Sequence, residues 1–244
     1  MKYYFVWHPI QRQLLEEFKM KENINILASY YFLISNKIPI NYKFLLDSGA
    51  FSAFNAGKEI NIDNYIQFIK DNEDIIENYF GLDEIGNAEK TLENQKYMES
   101  KGLKPIPTFH ANEDFKYLEH YCKNYDYIAL GGVAQLRDRQ KVIRWLQKCF
   151  KIIPKGTKVH GFAITSPYII NKFPFYSIDS SSWCSAARYG NLSLYTKGKF
   201  TRIKKKFKNT TEINKQINRW NIVQYIKFAK TMEEKNGIQE IKNR

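Results

Sequence analysis

Eight short apolar segments alternate with longer amphipathic segments along this chain of 244 residues. The strand candidates are Lys2–Trp7, Ile24–Phe32, Lys43–Leu46, Tyr79–Leu82, Lys104–Phe109, Tyr127–Leu130, Lys158–Phe162 and Phe175–Ile178. Apolar residues at three- and four-residue spacing predict helices over Asp63–Asn72, Ala88–Lys101, Glu113–Asn124, Asp138–Ile152 and Pro167–Lys172. The segment Ile24–Phe32 is equally compatible with a helix. Alternating strands and helices favour a parallel sheet, and eight strands are the number that closes a (β/α)8 barrel of the TIM type.

The pattern changes after Gly190, where a basic, hairpin-like segment is followed by a helical stretch from about Thr211 to Lys235. We see no internal repeat and no flexible linker. The simplest layout is a barrel over residues 1–195 with a basic C-terminal appendage over residues 196–244.

Positive charge is concentrated in this appendage. From Lys197 to Arg244 there are 14 Lys and Arg against four Glu, a net charge of +10 out of +13 for the whole chain. Basic residues interleaved with aromatics suit a phosphate backbone, because each neutralised phosphate releases a counterion. The alternative is a solvated basic surface without a partner. The predicted nucleic-acid contacts are Lys199, Arg202, Lys204, Lys205, Lys206 and Lys208.

The composition is that of a folded globular protein, with 43% hydrophobic and 16% aromatic residues. No apolar run approaches the roughly 20 residues of a membrane span, so we expect no membrane partner. The three cysteines, Cys122, Cys149 and Cys184, are too widely spaced for a disulfide framework or a metal knuckle. They suit a reducing cytoplasm.

Two aspartates, Asp47 and Asp179, each end an apolar strand candidate and open a turn rich in small residues. In a (β/α)8 barrel the carboxyl ends of the strands build the active site. Two carboxylates there can break a glycosidic bond, one as nucleophile and one as proton shuttle. The alternative is that each aspartate only caps a turn or a helix.

Four motifs, in this order, resemble those of the tRNA-guanine transglycosylase family. Leu46–Phe51 (LDSGAF) resembles its DSGGFQ motif, and Gly81–Glu84 (GLDE) resembles its Phe-Asp-Glu segment. Tyr127–Ala134 (YIALGGVA) resembles its base-binding Gly-Gly loop. Asp179–Gly190 reproduces the spacing of its nucleophile motif, D-x7-A-R-x-G.

The resemblance implies a (β/α)8 barrel that exchanges a guanine base at C1′ with retention of configuration. Asp179 would be the nucleophile that forms a glycosyl ester, as in retaining glycosidases. Asp47 would protonate the departing guanine and then deprotonate the incoming base, which requires a raised pKa. Asp83 would accept hydrogen bonds from N1 and N2 of the purine.

The remaining implied contacts surround the base and the sugar-phosphate. Arg188 would contact a phosphate or hold the nucleophile loop, and the two glycines would let backbone groups approach the purine edge. Phe51 and Trp183 would either stack on a base or pack beside the barrel mouth. The implied base-binding residues are Ser48, Gly49, His110, Gly131 and Gly132.

Two departures from the family pattern narrow the expectation. No Cys follows Cys184 and no His follows His160, so the family's structural zinc site lacks its ligands here, and we expect no metal or cofactor. The chain is also shorter than the tRNA enzymes. In both features the chain resembles the compact phage-type members of the family, which place 7-deazaguanines of the preQ0 or preQ1 type into DNA. A phage-encoded protein would then act in the cytoplasm of a bacterial host.

Three alternatives stay open at this stage. The same exchange could act on tRNA, a hydrolytic glycosylase could leave abasic sites, or an inactive barrel could bind nucleic acid with its carboxylates as turn caps. The sequence does not determine which 7-deazaguanine is accepted, whether the target sequence matters, or whether the chain works as a homodimer.

The basic run yields a test that needs no knowledge of the reaction. Replacing Lys204, Lys205 and Lys206 by Gln is expected to weaken binding to all sequences alike, because phosphate contacts do not depend on sequence. The slope of log K against log salt should flatten by up to about 3 units, near 0.7–0.9 for each phosphate that is no longer neutralised. Salt titrations of DNA binding measure this slope. An unchanged slope would mean that the run faces solvent.

Overall fold

The computed structural model describes residues 1–36, 41–136, 138–188, 190–204 and 210–242. For residues 186–188 and 235–242 it describes the backbone alone. The predicted contacts Lys205, Lys206 and Lys208 therefore lie outside the described residues, as does the side chain of Arg188.

Eight parallel strands in the described residues form one curled sheet with the order β4-β3-β2-β1-β8-β7-β6-β5. The chain therefore has the predicted (β/α)8 fold of the TIM type. The two outer strands approach each other where Gly81 N–H donates to the Ile106 carbonyl at 3.0 Å and Ile106 N–H donates to the Tyr79 carbonyl at 2.9 Å. The strands are β1 (Lys2–Val6), β2 (Asn25–Ser29), β3 (Phe44–Asp47), β4 (Ile76–Tyr79), β5 (Thr108–His110), β6 (Tyr127–Gly131), β7 (Lys158–Gly161) and β8 (Ser177–Ser180).

Helices follow the strands in the alternation that parallel pairing requires. They are α1 (Arg12–Glu22), α2 (Tyr30–Asn36), α3 (Ala50–Asn55), α4 (Ile62–Asp71), α5 (Ala88–Ser100), α6 (Phe115–Asn124), α7 (Arg139–Ile152), α8 (Pro167–Ile170), α9 (Ser182–Arg188) and α10 (Thr211–Lys242). None of the helices in the described ranges combines the length and apolar character of a membrane span.

The core has two layers because successive residues of a strand point to opposite faces. On β1, Tyr3 and Phe5 belong to the layer between the sheet and the helices. Tyr4 belongs to a separate buried cluster inside the barrel. The other members of this inner cluster are Leu27, Leu45, Phe80, Ile106 and Ala129.

Some predicted boundaries are wrong. The predicted strand Ile24–Phe32 ends at Ser29 and α2 begins at Tyr30. The segment is apolar apart from Asn25 and Ser29, so no change of period marks this boundary in the sequence. Strand β4 begins three residues earlier than predicted, at Ile76, whereas β5 and β8 begin later. Asn87 is the N-cap of α5 and accepts from Lys90 N–H at 3.0 Å. Asp114 is the N-cap of α6 and accepts from Lys116 N–H at 2.9 Å.

The C-terminal region consists of an antiparallel hairpin, β9 (Asn191–Thr196) and β10 (Lys199–Lys204), followed by α10. Helix α10 packs on the barrel, with the Tyr225 and Phe228 rings 6.1 and 5.6 Å from the ring of Tyr3 on β1. These residues belong to the same core cluster as the barrel helices. The division into a barrel (1–195) and an appendage (196–244) stays a prediction. Helix α10, which lies in the second range, packs into the core of the barrel.

Side chains of α10 also bind the backbone of β9 as another strand would. Asn221, which is fully buried, accepts from Ser193 N–H at 2.7 Å and donates to the Asn191 carbonyl at 3.3 Å. Gln224 accepts from Tyr195 N–H at 3.1 Å, and Trp220 donates to the Ser193 carbonyl at 2.8 Å. Side chains of α10 thereby satisfy backbone hydrogen-bonding groups on the open edge of β9, and these bonds fix the hairpin against the barrel.

Replacing Asn221 by Ala should destabilise the protein by about 1–3 kcal/mol, because a buried backbone N–H loses its acceptor. The exposed Gln216 of the same helix provides the control, and its replacement by Ala should be nearly neutral. Urea denaturation of both variants measures the difference. Equal stability of the two variants would contradict the role given to Asn221.

Candidate active site

A cavity of about 230 Å³ opens at the carboxyl ends of strands β3 to β8. It brings together residues predicted from separate motifs: Asp47, Asp83, His110, Gly131, Gly132 and Asp179. Ser48 and Gly49 are buried beside Asp47 but do not line the cavity. The basic residues Lys199, Arg202 and Lys204 lie exposed on β10 and do not line it either.

The turn after β3 fixes the carboxyl group of Asp47. Gly49 N–H donates to Asp47 Oδ2 at 3.1 Å, and Ala50 N–H donates to Ser48 Oγ at 3.3 Å. Gly49 has a φ of 78°, and a Cβ there would lie 2.1 Å from Ser29 Oγ. Only glycine fits this close approach. Ser48 and Gly49 therefore shape the turn, and their predicted contact with substrate stays a prediction.

The pKa of Asp47 is raised from 3.8 to about 7. Burial is the largest cause, followed by the negative charges of Asp83 and Asp179, and two backbone N–H groups oppose the shift. A carboxyl group that titrates near neutral pH can both give and take a proton at that pH. This is the property that the sequence resemblance requires of Asp47.

His110 lies between two carboxylates at the end of β5. Its Nε2 is 3.2 Å from Asp83 Oδ2, and its Nδ1 is 3.0 Å from Glu113 Oε1. Burial opposes the charged ring, but the charges and hydrogen bonds of Asp83 and Glu113 outweigh it and raise the pKa of His110 to about 10. At neutral pH the cavity therefore contains an imidazolium next to Asp83.

Asp83 keeps one acceptor free. Its Oδ2 contacts His110, whereas its Oδ1 is buried without a hydrogen-bond partner among the described residues. A buried carboxylate oxygen without a partner is costly, so it indicates a site that a donor on a ligand can satisfy.

The two glycines after β6 make room for His110. A Cβ on Gly131 would lie 2.9 Å from His110 Cδ2, and one on Gly132 would lie 3.0 Å from Ala111 N. Gly132 also has a φ of 72°, which disfavours other residues. Both glycines line the cavity. Their contact with a base stays a prediction, and the packing of His110 is a separate requirement for them.

Asp179 lies within β8 and is 6% exposed. Its Oδ1 accepts from Ala163 N–H at 3.0 Å and lies 3.3 Å from His160 Nε2. Ala163 has a φ of 56°, an uncommon conformation for a non-glycine residue, and this turn directs its N–H at the carboxylate.

Three residues that contact the predicted site residues were not predicted from the sequence: His160, Glu113 and Ala163. A histidine inside the buried strand β7, where apolar residues are the rule, is the signal that could have identified His160. The spacing of His110 and Glu113 three residues apart at a strand end is a weaker signal. Ala163 acts through its backbone and leaves no signal in its residue type.

The two aromatic candidates differ. Trp183 is fully buried and donates from Nε1 to the Val6 carbonyl at 3.2 Å, so it packs α9 against the barrel. Phe51 lines the cavity and is 58% exposed, so it remains available to a base.

In the part of the chain that the structure describes, no group of three or more His, Cys, Asp or Glu residues has a geometry suited to a metal ion. The expectation that the protein works without zinc stays a prediction. Comparisons of the sequence with protein-family models and with curated proteins give no match to either.

The raised pKa of Asp47 predicts how stability changes with pH. The native protein binds a proton more tightly than the unfolded chain between pH 3.8 and about 7, so this residue lowers stability as pH rises through that window. Asp47→Asn cannot ionise and should be more stable than the wild type above pH 8, on the order of 2 kcal/mol if half the shift is realised.

Thermal denaturation at pH 5 and at pH 8 measures this difference. The exposed Asp74 is the control, and Asp74→Asn should follow the wild type at both pH values. A gain for Asp47→Asn that is equal at both pH values would show that ionisation of Asp47 is not the cause.

Proposed function

We propose that this protein is a guanine transglycosylase that exchanges guanine in DNA for a 7-deazaguanine base. The observation that carries the proposal is the meeting of Asp47, Asp83 and Asp179 in one cavity, with one carboxyl group that titrates near neutral pH. The order of the family-like motifs agrees with it.

In the first half of the reaction, an oxygen of Asp179 attacks C1′ and the bond from C1′ to N9 breaks. The electron pair of that bond passes to the purine, and Asp47 gives its proton to the departing guanine. In the second half, Asp47 takes the proton from N9 of the incoming base. N9 then attacks C1′, the ester bond breaks, and Asp179 is regenerated. Configuration is retained because C1′ is inverted twice.

Asp83 is suited to select the base. Guanine and 7-deazaguanines carry adjacent N–H donors at N1 and N2, and Asp83 Oδ1 is a buried acceptor without a partner among the described residues. The His110 imidazolium holds Oδ2 at 3.2 Å and leaves Oδ1 as the acceptor for the base. Adenine, with an acceptor at N1, would leave Oδ1 unpaired.

The choice of DNA as the polymer comes from the resemblance to compact phage-type relatives, and tRNA is the alternative. The exposed Lys199, Arg202 and Lys204 on β10 suit the phosphates of either polymer. A barrel whose carboxylates serve only as turn caps is disfavoured, because capping alone does not require Asp47, Asp83 and Asp179 to meet in one cavity.

The decisive experiment is the uptake of labelled guanine into DNA and into tRNA. The wild type should label DNA, whereas Asp179→Asn should label neither polymer and should bind DNA with nearly unchanged affinity. Loss of an obligatory nucleophile costs orders of magnitude in rate. The exposed Asp74, before β4, serves as control, and Asp74→Asn should behave as the wild type.

Each of the other outcomes supports a different function or a different nucleophile. Uptake into tRNA alone would replace DNA by tRNA, and abasic sites without uptake would indicate hydrolysis. More than about a tenth of the wild-type rate in Asp179→Asn would exclude this residue as the nucleophile.

A further inference from the structure

A chain of hydrogen bonds runs behind Asp179, away from the cavity. Tyr127 OH lies 2.7 Å from Ser177 Oγ, and Ser177 Oγ lies 2.8 Å from His160 Nδ1. His160 Nε2 lies 3.3 Å from Asp179 Oδ1. These hydrogen bonds link strands β6, β7 and β8. The two residues in the middle of the series, Ser177 and His160, are fully buried.

The carboxylate end gives this series of hydrogen bonds its direction. In its proposed role as nucleophile Asp179 is ionised, and its Oδ1 can only accept, so the ring proton that faces it is on His160 Nε2. A neutral ring then has an unprotonated Nδ1, which accepts from the Ser177 hydroxyl. Ser177 Oγ in turn accepts from the Tyr127 hydroxyl, which keeps its proton because burial raises its pKa to about 12.

The surroundings of His160 leave it little freedom. Its side chain is 0% exposed, and the rings of Tyr4, Phe80 and Phe162 lie 6.1, 4.9 and 4.8 Å from its own. A buried histidine among aromatic rings has no solvent to satisfy its nitrogens, so the two hydrogen bonds fix its orientation.

The hydrogen bonds to Asp179 from the described residues both fall on Oδ1, from Ala163 N–H and from His160. They hold the carboxylate from behind and leave Oδ2 for attack on C1′.

We propose that His160 is a positioning residue that acts through Asp179, with Tyr127 and Ser177 fixing its Nε2–H tautomer. This inference rests on the proposed function, in which Asp179 is the nucleophile. If the ring carried its proton on Nδ1, the lone pair of Nε2 would face Oδ1. Asp179 would then have to be protonated and could not attack. In this proposal, the tautomer of one buried histidine thus decides whether Asp179 can act as the nucleophile.

The tautomer can be measured without any substrate. In ¹⁵N-labelled protein at neutral pH, the ring of His160 should give one resonance of a protonated nitrogen at Nε2 and one of an unprotonated nitrogen at Nδ1. His160→Gln identifies the signals. A ring protonated on Nδ1, alone or together with Nε2, would overturn the direction of the chain.

The kinetic test compares two variants of His160. His160→Phe keeps an aromatic ring but removes both hydrogen bonds, and should slow single-turnover exchange at saturating DNA roughly 10–100-fold. His160→Gln keeps an N–H donor for Asp179 and should recover most of this loss. The dissociation constant for DNA should not change in either variant. His120→Gln, at a half-buried position on α6 that does not line the cavity, is the control.

If His160→Phe does not fold, Ser177→Ala is the second variant. It leaves the ring in place and removes the donor to Nδ1, so it should shift the Nδ1 resonance and lower the rate several-fold. Exchange within twofold of the wild type in every folded variant would refute the role of His160. If the wild type itself exchanges no base, the proposed function fails, while the spectrum still decides the tautomer.

Discussion

Burial, together with the mutual repulsion of three carboxyl groups, governs this site. Asp47, Asp83 and Asp179 line one cavity of about 230 Å³, where burial also disfavours the ionised form. Three negative charges cannot coexist there without compensation. Each carboxyl group is supported in a different way. Asp47 accepts a proton near neutral pH, Asp83 contacts an imidazolium, and Asp179 accepts hydrogen bonds from a backbone amide and a buried histidine. These different environments would separate the proposed roles of acid, base selector and nucleophile.

The fold supplies these supports from sequence-distant strands. His110 and Gly131 are paired across β5 and β6, so the glycine provides the space that the imidazole occupies. His160 and Ser177 are paired across β7 and β8, which places the histidine beside the carboxylate two residues further along β8. A one-residue slip in either register would turn these side chains to the opposite face of the sheet. The apolar cluster inside the barrel opposes such a slip, and the geometry of the site therefore depends on the packing beneath it.

The sequence predicted the residues that mark strand ends and missed those that act through the register. Asp47 and Asp179 follow apolar runs, and this local pattern was sufficient to place both at the carboxyl ends of strands. The role of His160 has no local signature, because its partner is 19 residues away and only the pairing of β7 with β8 brings the two together. The boundary between β2 and α2 is hidden for another reason. Mostly apolar residues continue on both sides of Ser29, so burial in the strand and burial in the helix leave the same signal.

The packing of the C-terminal helix relates the proposed phosphate binding to the proposed chemistry. Helix α9 begins at Ser182, directly after the strand of Asp179, and Trp183 fastens it to the Val6 carbonyl of β1. The hairpin that bears Lys199 and Arg202 follows, and α10 joins it to β1 through buried amide side chains and aromatic rings. These contacts hold the hairpin to the barrel. A phosphate held by the hairpin would consequently lie at a fixed distance from Asp179. Such a rigid connection would allow backbone binding, which carries no sequence information, to position C1′ for attack.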